Sequence, residues 1–349
     1  MKLQKLLAIA VLMLVATAGH AMFRAADLVV IPVAASLPGA NNSEWHTDLE
    51  IYNADEVPVD VMIVFLPSGN SSKATWFADI GNHLGGRADE GFGYVDERLA
   101  GIEPGHTVTL EDVVRNNWGD GIKGPLLIFA YEAGTLTTTS PAGGNPKRVL
   151  ATSRTYTVET AEDDTVSTYG QTVPGLPWYD YIDPQQEAAG LNKAVFTGIR
   201  EDDRFRTNVG MVNVSDRLTT IRVLLRLFDA DGTELAAIAI DLQPLAHVQY
   251  DQAVRTYFRL TEEEYPSLAD ATMTAEVVRF SSTAADPTPA LMVYASKADN
   301  VTNDPVYIEQ SFTKELPWDC IFNGNCTTAS SLAPRWDQAR RRPLDPPTP

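Results

Sequence analysis

The chain has 349 residues, 44% hydrophobic and 21% charged, so it carries apolar material for about two folded cores and is not disordered as a whole. Its formal net charge is −19 at pH 7, a repulsive term that argues against nucleic acid and anionic lipid as partners. There is no Gly-x-Ser-x-Gly elbow, no Gly-x-x-x-x-Gly-Lys-Ser/Thr loop and no His-x-x-x-His pair with an acidic neighbour, so the compact signatures of α/β-hydrolases, P-loop proteins and zincins are missing.

The first element is an export signal. Lys2 and Lys5 precede an apolar run over 6–15, and Gly19-His20-Ala21 supplies small residues at a cleavage site. This pattern predicts a signal peptide over 1–21, too short to span a membrane stably. No second apolar run of spanning length follows, so the mature protein is expected to be secreted or periplasmic.

The chain then repeats itself. Trp45-x-Thr47-Asp48-Leu49-x-Ile51-x-Asn53 recurs as Phe205-x-Thr207-Asn208-Val209-x-Met211-x-Asn213. Ile102-Glu103-Pro104 with Val108 and Leu110 corresponds to Leu242-Gln243-Pro244 with Val248 and Tyr250. The run 150–154 corresponds to 293–297, and Gln171 with Leu176-Pro177-Trp178 to Gln310 with Leu316-Pro317-Trp318. Landmarks in one fixed order point to duplication of a whole unit. The expected organisation is one unit over 22–182 with a long Gly-rich insertion at 67–101, a second over 183–326, and a disordered tail over 327–349.

Within the units the period is two. Ile221, Val223, Leu225 and Leu227 alternate with Arg222 and Arg226, the pattern of a half-buried antiparallel strand. Asp229-Ala230-Asp231-Gly232 then predicts a hairpin. The run 126–131 is apolar on both faces and reads as a central, doubly covered strand. Helix is confined to short turns, near 111–116 and at the capping-box sequence Thr261-Glu262-Glu263-Glu264. The predicted fold class is all-β, with two tandem immunoglobulin-like or fibronectin-like β-sandwich units. The Trp45-x-Thr47-Asp48 opening, its partner at Phe205, the Phe228-Asp229-Ala230-Asp231-Gly232 hairpin and the repeated strand ending Ser153-Arg154 resemble a group of uncharacterised secreted bacterial proteins with tandem β-sandwich repeats. That resemblance implies fold and export and brings no catalytic residues.

Candidate sites are few. Trp76 and Trp118 lie in Gly-rich connections, where an aromatic can make an exposed contact. Trp178, Tyr179 and Tyr181 cluster between the units and could stack on sugar rings, although reuse of Leu-Pro-Trp at both unit ends points rather to packing. Trp45 and Phe205 are expected in the cores, with Thr47, Asp48, Thr207 and Asn208 on local backbone at the strand entry. Asp229, Asp231 and Glu234 have the oxygen-rich look of a calcium loop, against which stands the ordinary turn chemistry of Asp and Gly. Cys320 and Cys326, the only cysteines, are expected to close one disulfide in an oxidising compartment, worth about 2–2.5 kcal/mol. No carboxylate pair or catalytic residue is privileged, and no cofactor is implied beyond calcium at that loop. The expected function is therefore a non-catalytic interaction or scaffold protein that binds a surface polymer or a protein. A carbohydrate-binding or acid-pair glycoside-active protein and a calcium-stabilised adhesion module are the alternatives.

Overall fold

The computed structural model describes residues 24–39, 43–78, 96–135, 144–160, 166–187, 190–312 and 340–345. The signal peptide expected at 1–21, the disulfide expected between Cys320 and Cys326, and the second Leu-Pro-Trp lie outside the described residues.

Strands β1 (Leu28–Pro38), β3 (Val59–Phe65) and β5 (Ile122–Glu132) are buried along nearly their whole length. They pair antiparallel in the order β3-β5-β1, and the short β8 (Leu176–Pro177) adds to the other edge of β1. Strand β1 then crosses over. Its last residues, Leu37 and Pro38, pair with Trp45 and Glu44 of β2 (Glu44–Asn53). This links the first sheet to a second, ordered β4 (Thr107–Leu110), β2, β6 (Val149–Thr160), β7 (Val166–Pro174).

The later part of the chain contributes β9 (Lys193–Glu201), β10 (Phe205–Asn213), β11 (Thr219–Phe228), β12 (Glu234–Leu242), β13 (His247–Tyr250), β14 (Leu268–Ser282), β15 (Leu291–Asp299), β16 (Pro305–Glu309) and β17 (Ser311–Phe312). One sheet runs β12-β11-β14-β9-β17 and the other β13-β10-β15-β16. Among the described residues the pairings are antiparallel throughout, and helix is limited to short pieces, α1 (Ala74–Ala78), α2 (Val113–Trp118), α3 (Ala253–Thr256) and a 3-10 turn at Glu97–Leu99. The protein is all-β, built from several antiparallel sheets. Among the described residues no helix is long and apolar enough to cross a membrane.

Three apolar clusters hold these sheets. The first lies between the two sheets of the first half and includes Ile31, Leu49, Ile63 and Ile128. The second does the same in the second half with Phe196, Met211, Val223 and Met273. The third joins the halves: Leu28, Val30, Met62, Val64 and Phe129 from β1, β3 and β5 meet Val212, Leu245 and Met292 from the second half. Strand β5 is thus covered on both faces, as its composition requires.

The repeated motif residues act as buried locks. Asn53, fully buried, donates to the carbonyls of Val57 and Ile102 at 2.9 and 2.8 Å and accepts from the Asp55 amide. Asn213, also fully buried, donates to Thr219, Leu242 and Gln243 and accepts from Ser215. Thr47 donates to the Ala35 carbonyl and accepts its amide, and Thr207 does so with Arg200, which ties β2 to β1 and β10 to β9. Asp48 accepts from the Asp112 amide at 2.9 Å, and Asn208 from the Gln252 amide at 3.0 Å. These partners are distant in sequence, not the local strand-entry backbone expected. Both amides belong to residues with positive φ, 46° and 51°, that open α2 and α3. A side-chain acceptor at that point steadies a backbone conformation that costs a non-glycine residue about 1 kcal/mol or more.

Several expectations need correction. Strand pairing places Ser153 opposite Leu49 and Ala295 opposite Val209, so run 150–154 matches 292–296, one residue earlier than the sequence match. Such a slip would put every side chain on the wrong face. The start of the insertion at 67–101 is not a free loop. Asn70 exchanges hydrogen bonds with Asp241 and Gln243, and Phe77 of α1 is fully buried in the third cluster. The capping box forms, with Thr261 donating to Glu264 at 2.9 Å, but it closes a turn and not a helix. The end of the tail is packed: Leu344 is 1% and Arg340 7% exposed. Arg340 lies over the Tyr181 ring at 3.7 Å and donates to the Tyr179 and Tyr181 carbonyls, so residues 340–345 are held against the seam between the halves.

Candidate functional site

A cleft of about 320 Å³ opens where the second half meets the first, at the lower end of the range for small-ligand sites. Its geometry follows from the outward face of β10 and β15. Arg206 and Asn208 alternate with the core residues of β10, and Tyr294 and Ser296 with those of β15. Gly210 lies opposite Tyr294 in the ladder, and a Cβ there would overlap the Tyr294 ring. Glycine therefore lets the ring lie across β10. The facing wall comes from the first half: Ala35 and Leu37 of β1, Trp45 of β2, Thr155 of β6 and Gln171 of β7. Trp45 sits where β1 changes sheets and is half-buried, so the core position expected for it is corrected. Phe205 is also outside the core, with the guanidiniums of Arg200 and Arg204 over its ring at 4.4 and 5.3 Å.

The polar groups of the cleft are unevenly satisfied. Ser296 donates to Gln171 Oε1 across the seam at 2.9 Å. Gln249 donates to Asp251 at 2.7 Å, and Lys123 reaches the same carboxylate at 3.6 Å. The amide nitrogens of Gln171 and Asn208 have no partner among the described residues. Arg206 is 8% exposed, and its guanidinium donates only to neutral oxygens, Asn300 Oδ1 and Asn303 Oδ1 at 2.9 Å and the Asp299 carbonyl at 3.4 Å. Burial pulls its pKa down, and the carboxylates of Asp251, Asp299 and Glu201 at longer range oppose that.

Beside the cleft lies a histidine that could be mistaken for a catalytic base. His247 is fully buried, with Nδ1 2.8 Å from Ser68 Oγ and Nε2 3.1 Å from Tyr294 OH. Tyr294 OH donates to Gln249 Oε1 at 2.8 Å, so it accepts from His247 Nε2–H, and Nδ1 is left to accept from Ser68. Burial pushes the imidazole down to about 3, assisted by Lys123. A base this weak, with no carboxylate behind it, does not activate a serine near neutral pH. The pair holds the halves together.

In the first half, the strand position of Arg206 is taken by His46, whose Nδ1 lies 3.0 Å from Asp112 Oδ2. Tyr156 donates to Asp48 at 3.3 Å, and its hydroxyl is pushed up to about 12 by burial and then by Asp48.

The other predicted residues are dispersed. Trp118 stacks on Phe65 at 5.1 Å and packs against the first core. Trp178 and Tyr179 form an edge-on pair 5.4 Å apart and also pack on that core. Tyr181 is fully buried and donates to the Arg341 carbonyl at 2.8 Å. The Trp76 side chain lies outside the described residues. Asp229 accepts the amides of Asp231 and Thr233 at 2.9 and 2.8 Å, and Glu234 accepts from Arg226 at 2.9 Å. The oxygens of Asp229 and Glu234 serve the hairpin, and no trio of His, Cys, Asp or Glu gathers as a metal site among the described residues. The cleft did not stand out in the sequence because Arg206 and Gln171 look like solvent-facing members of alternating strands; the recurrences of Trp45-x-Thr47, of its partner around Asn208 and of Gln171 pointed nearby. Compared with known proteins, the chain matches no family model, no curated protein and no solved structure.

Proposed function

We propose that the protein is an exported, non-catalytic binding protein made of two copies of one β-sandwich unit, immunoglobulin-like in general plan. Its role is to take part of a surface polymer into the cleft between the copies. Duplication is supported by the matching strand orders, β4-β2-β6-β7 beside β13-β10-β15-β16 and β3-β5-β1-β8 beside β11-β14-β9-β17. It is supported again by the paired locks at Asn53 and Asn213. Export rests on the leader pattern of the sequence.

The observation that carries the binding role is the lining of the cleft. An indole, a tyrosine ring and several amide and hydroxyl side chains converge there from both halves. Amides and hydroxyls both donate and accept, which matches the hydroxyls of a sugar ring. An indole offers the flat apolar face that such a ring also presents. Among the alternatives, this favours a carbohydrate-binding role over a calcium-dependent one, through Trp45 and not through Trp118 or Trp178.

The test is titration calorimetry of residues 22–349 against short fragments of neutral and acidic surface polysaccharides. Binding that disappears in Trp45→Ala and in Gln171→Ala, at unchanged melting temperature, supports the proposal. Binding that survives both substitutions places the ligand elsewhere, and no binding to any fragment removes the polymer role.

A further inference from the structure

We infer that the cleft selects a ligand with a carboxylate, an acidic sugar such as a uronic acid unit, and that Arg206 is the residue that reads it. This rests on the proposed binding role of the cleft.

A guanidinium carries five N–H donors. Those of Arg206 that have partners are spent on Asn300, Asn303 and the Asp299 carbonyl, through Nη1 and Nη2. Nε–H and one Nη2–H have no partner among the described residues. Nε and Nη2 form the side-on edge that takes a carboxylate in two parallel bonds. The same chain shows that edge at work: Arg222 Nε and Nη2 bind the two oxygens of Asp241 at 2.6 and 2.5 Å.

Arg206 has no such carboxylate among the described residues. Of the acids that act on it at longer range, Asp299 accepts from Arg204 and from the amides of Val301 and Thr302, Asp251 from Gln249 with Lys123 beside it, and Glu201 from the Val254 amide; none of them forms an ion pair with Arg206. An arginine this buried normally has an anionic partner. The three neutral oxygens fix its plane without cancelling its charge. Asn208, whose amide nitrogen has no partner among the described residues, lines the same wall, and Trp45 lines the opposite one.

The net charge of −19 repels a long polyanion at a distance. One buried cation facing one carboxylate is therefore suited to a single acidic residue, not to a dense run of charge.

The experiment compares digalacturonate with neutral galactobiose by calorimetry on residues 22–349, for wild type, Arg206→Gln, Arg206→Lys and Trp45→Ala. The expected result is at least tenfold tighter binding of digalacturonate by wild type. Arg206→Gln should reduce that ratio to about one, Arg206→Lys should recover part of it, and Trp45→Ala should weaken both ligands. Equal binding of the two sugars by wild type overturns the inference and leaves the binding role standing. A preference for the acid that persists in Arg206→Gln overturns it as well. Failure of wild type to bind either sugar overturns the inference, and the binding role is then decided by the wider panel of polysaccharide fragments. Arg206 also holds the 299–303 turn, so thermal melts of each variant accompany the titrations, and a folded Arg206→Lys keeps the test decisive if Arg206→Gln unfolds.

Discussion

The sheet β3-β5-β1 of the first half and the sheet β11-β14-β9 of the second have the same strand order but opposite fates. In β3 every residue is buried, whereas in β11 buried and half-buried residues alternate. The outward positions of β3 carry Met62 and Val64; those of β11 carry Arg222 and Arg226, tied to Asp241 and Glu234 across β12. One sheet is the middle layer of the molecule and the other an outer wall. A few apolar or charged residues at alternate positions decide which, because burying a fully apolar side chain stabilises by about 1.5–3 kcal/mol and an unpaired charge in the same place costs more.

The comparison breaks most violently at Val64, which is 2% exposed in the third cluster. Val64→Arg gives the middle sheet the character of the outer wall. A loss of more than about 4 kcal/mol is expected in denaturant unfolding, from an unpaired buried charge. A loss below about 1 kcal/mol would show that the halves do not depend on this face.

A second contrast lies at the ends of β1 and β9. The Thr47 and Thr207 locks align Ser36 with Glu201, and both are buried, at 1% and 3% exposure. Burial pushes the Glu201 carboxyl up to about 7, against the Val254 amide that it accepts. Its folded pKa is raised, so the folded state favours the protonated form. That contribution is complete below the unfolded value near 4.5 and is lost as pH rises through about 7. Glu201→Gln should therefore stabilise the second half by about 2–3 kcal/mol at pH 8 and change little at pH 4. Melts of the variant across that range, set beside wild type, check the sign.

The paired locks offer a finer comparison. Asn53→Ala and Asn213→Ala each strand buried carbonyls, and each should cost about 1–3 kcal/mol. The loss at Asn213 should be the larger, because three carbonyls lose their donor there and two at Asn53. Equal losses would mean that water replaces the missing amide. The smallest effect belongs to the outer wall itself. Arg226→Val removes exposed ion pairs to Glu234 and Glu276 and should leave the melting temperature unchanged.

Much of the fold could be read in advance. Period two in β11, the Asp-Gly hairpin after it and the two-faced apolar run of β5 were all legible, because each is a local consequence of strand geometry or turn chemistry. The site was far less so. Trp118, singled out for its surroundings in sequence, packs on a core, whereas Trp45, assigned to a core, borders the cleft. A residue's distance from the end of the facing strand settles that, and sequence spacing does not report it.

By itself, then, the sequence determined the strands and their alternation, since these depend on neighbours a few residues away. Only the tertiary structure decided which sheet became the middle layer and that residues 340–345 return to the seam. It alone also decided that Arg206 faces Trp45 across a cleft with two donors unspent. Those outcomes depend on surfaces brought together from more than 100 residues apart, where the free energy lies in what each face covers and not in what the chain spells nearby.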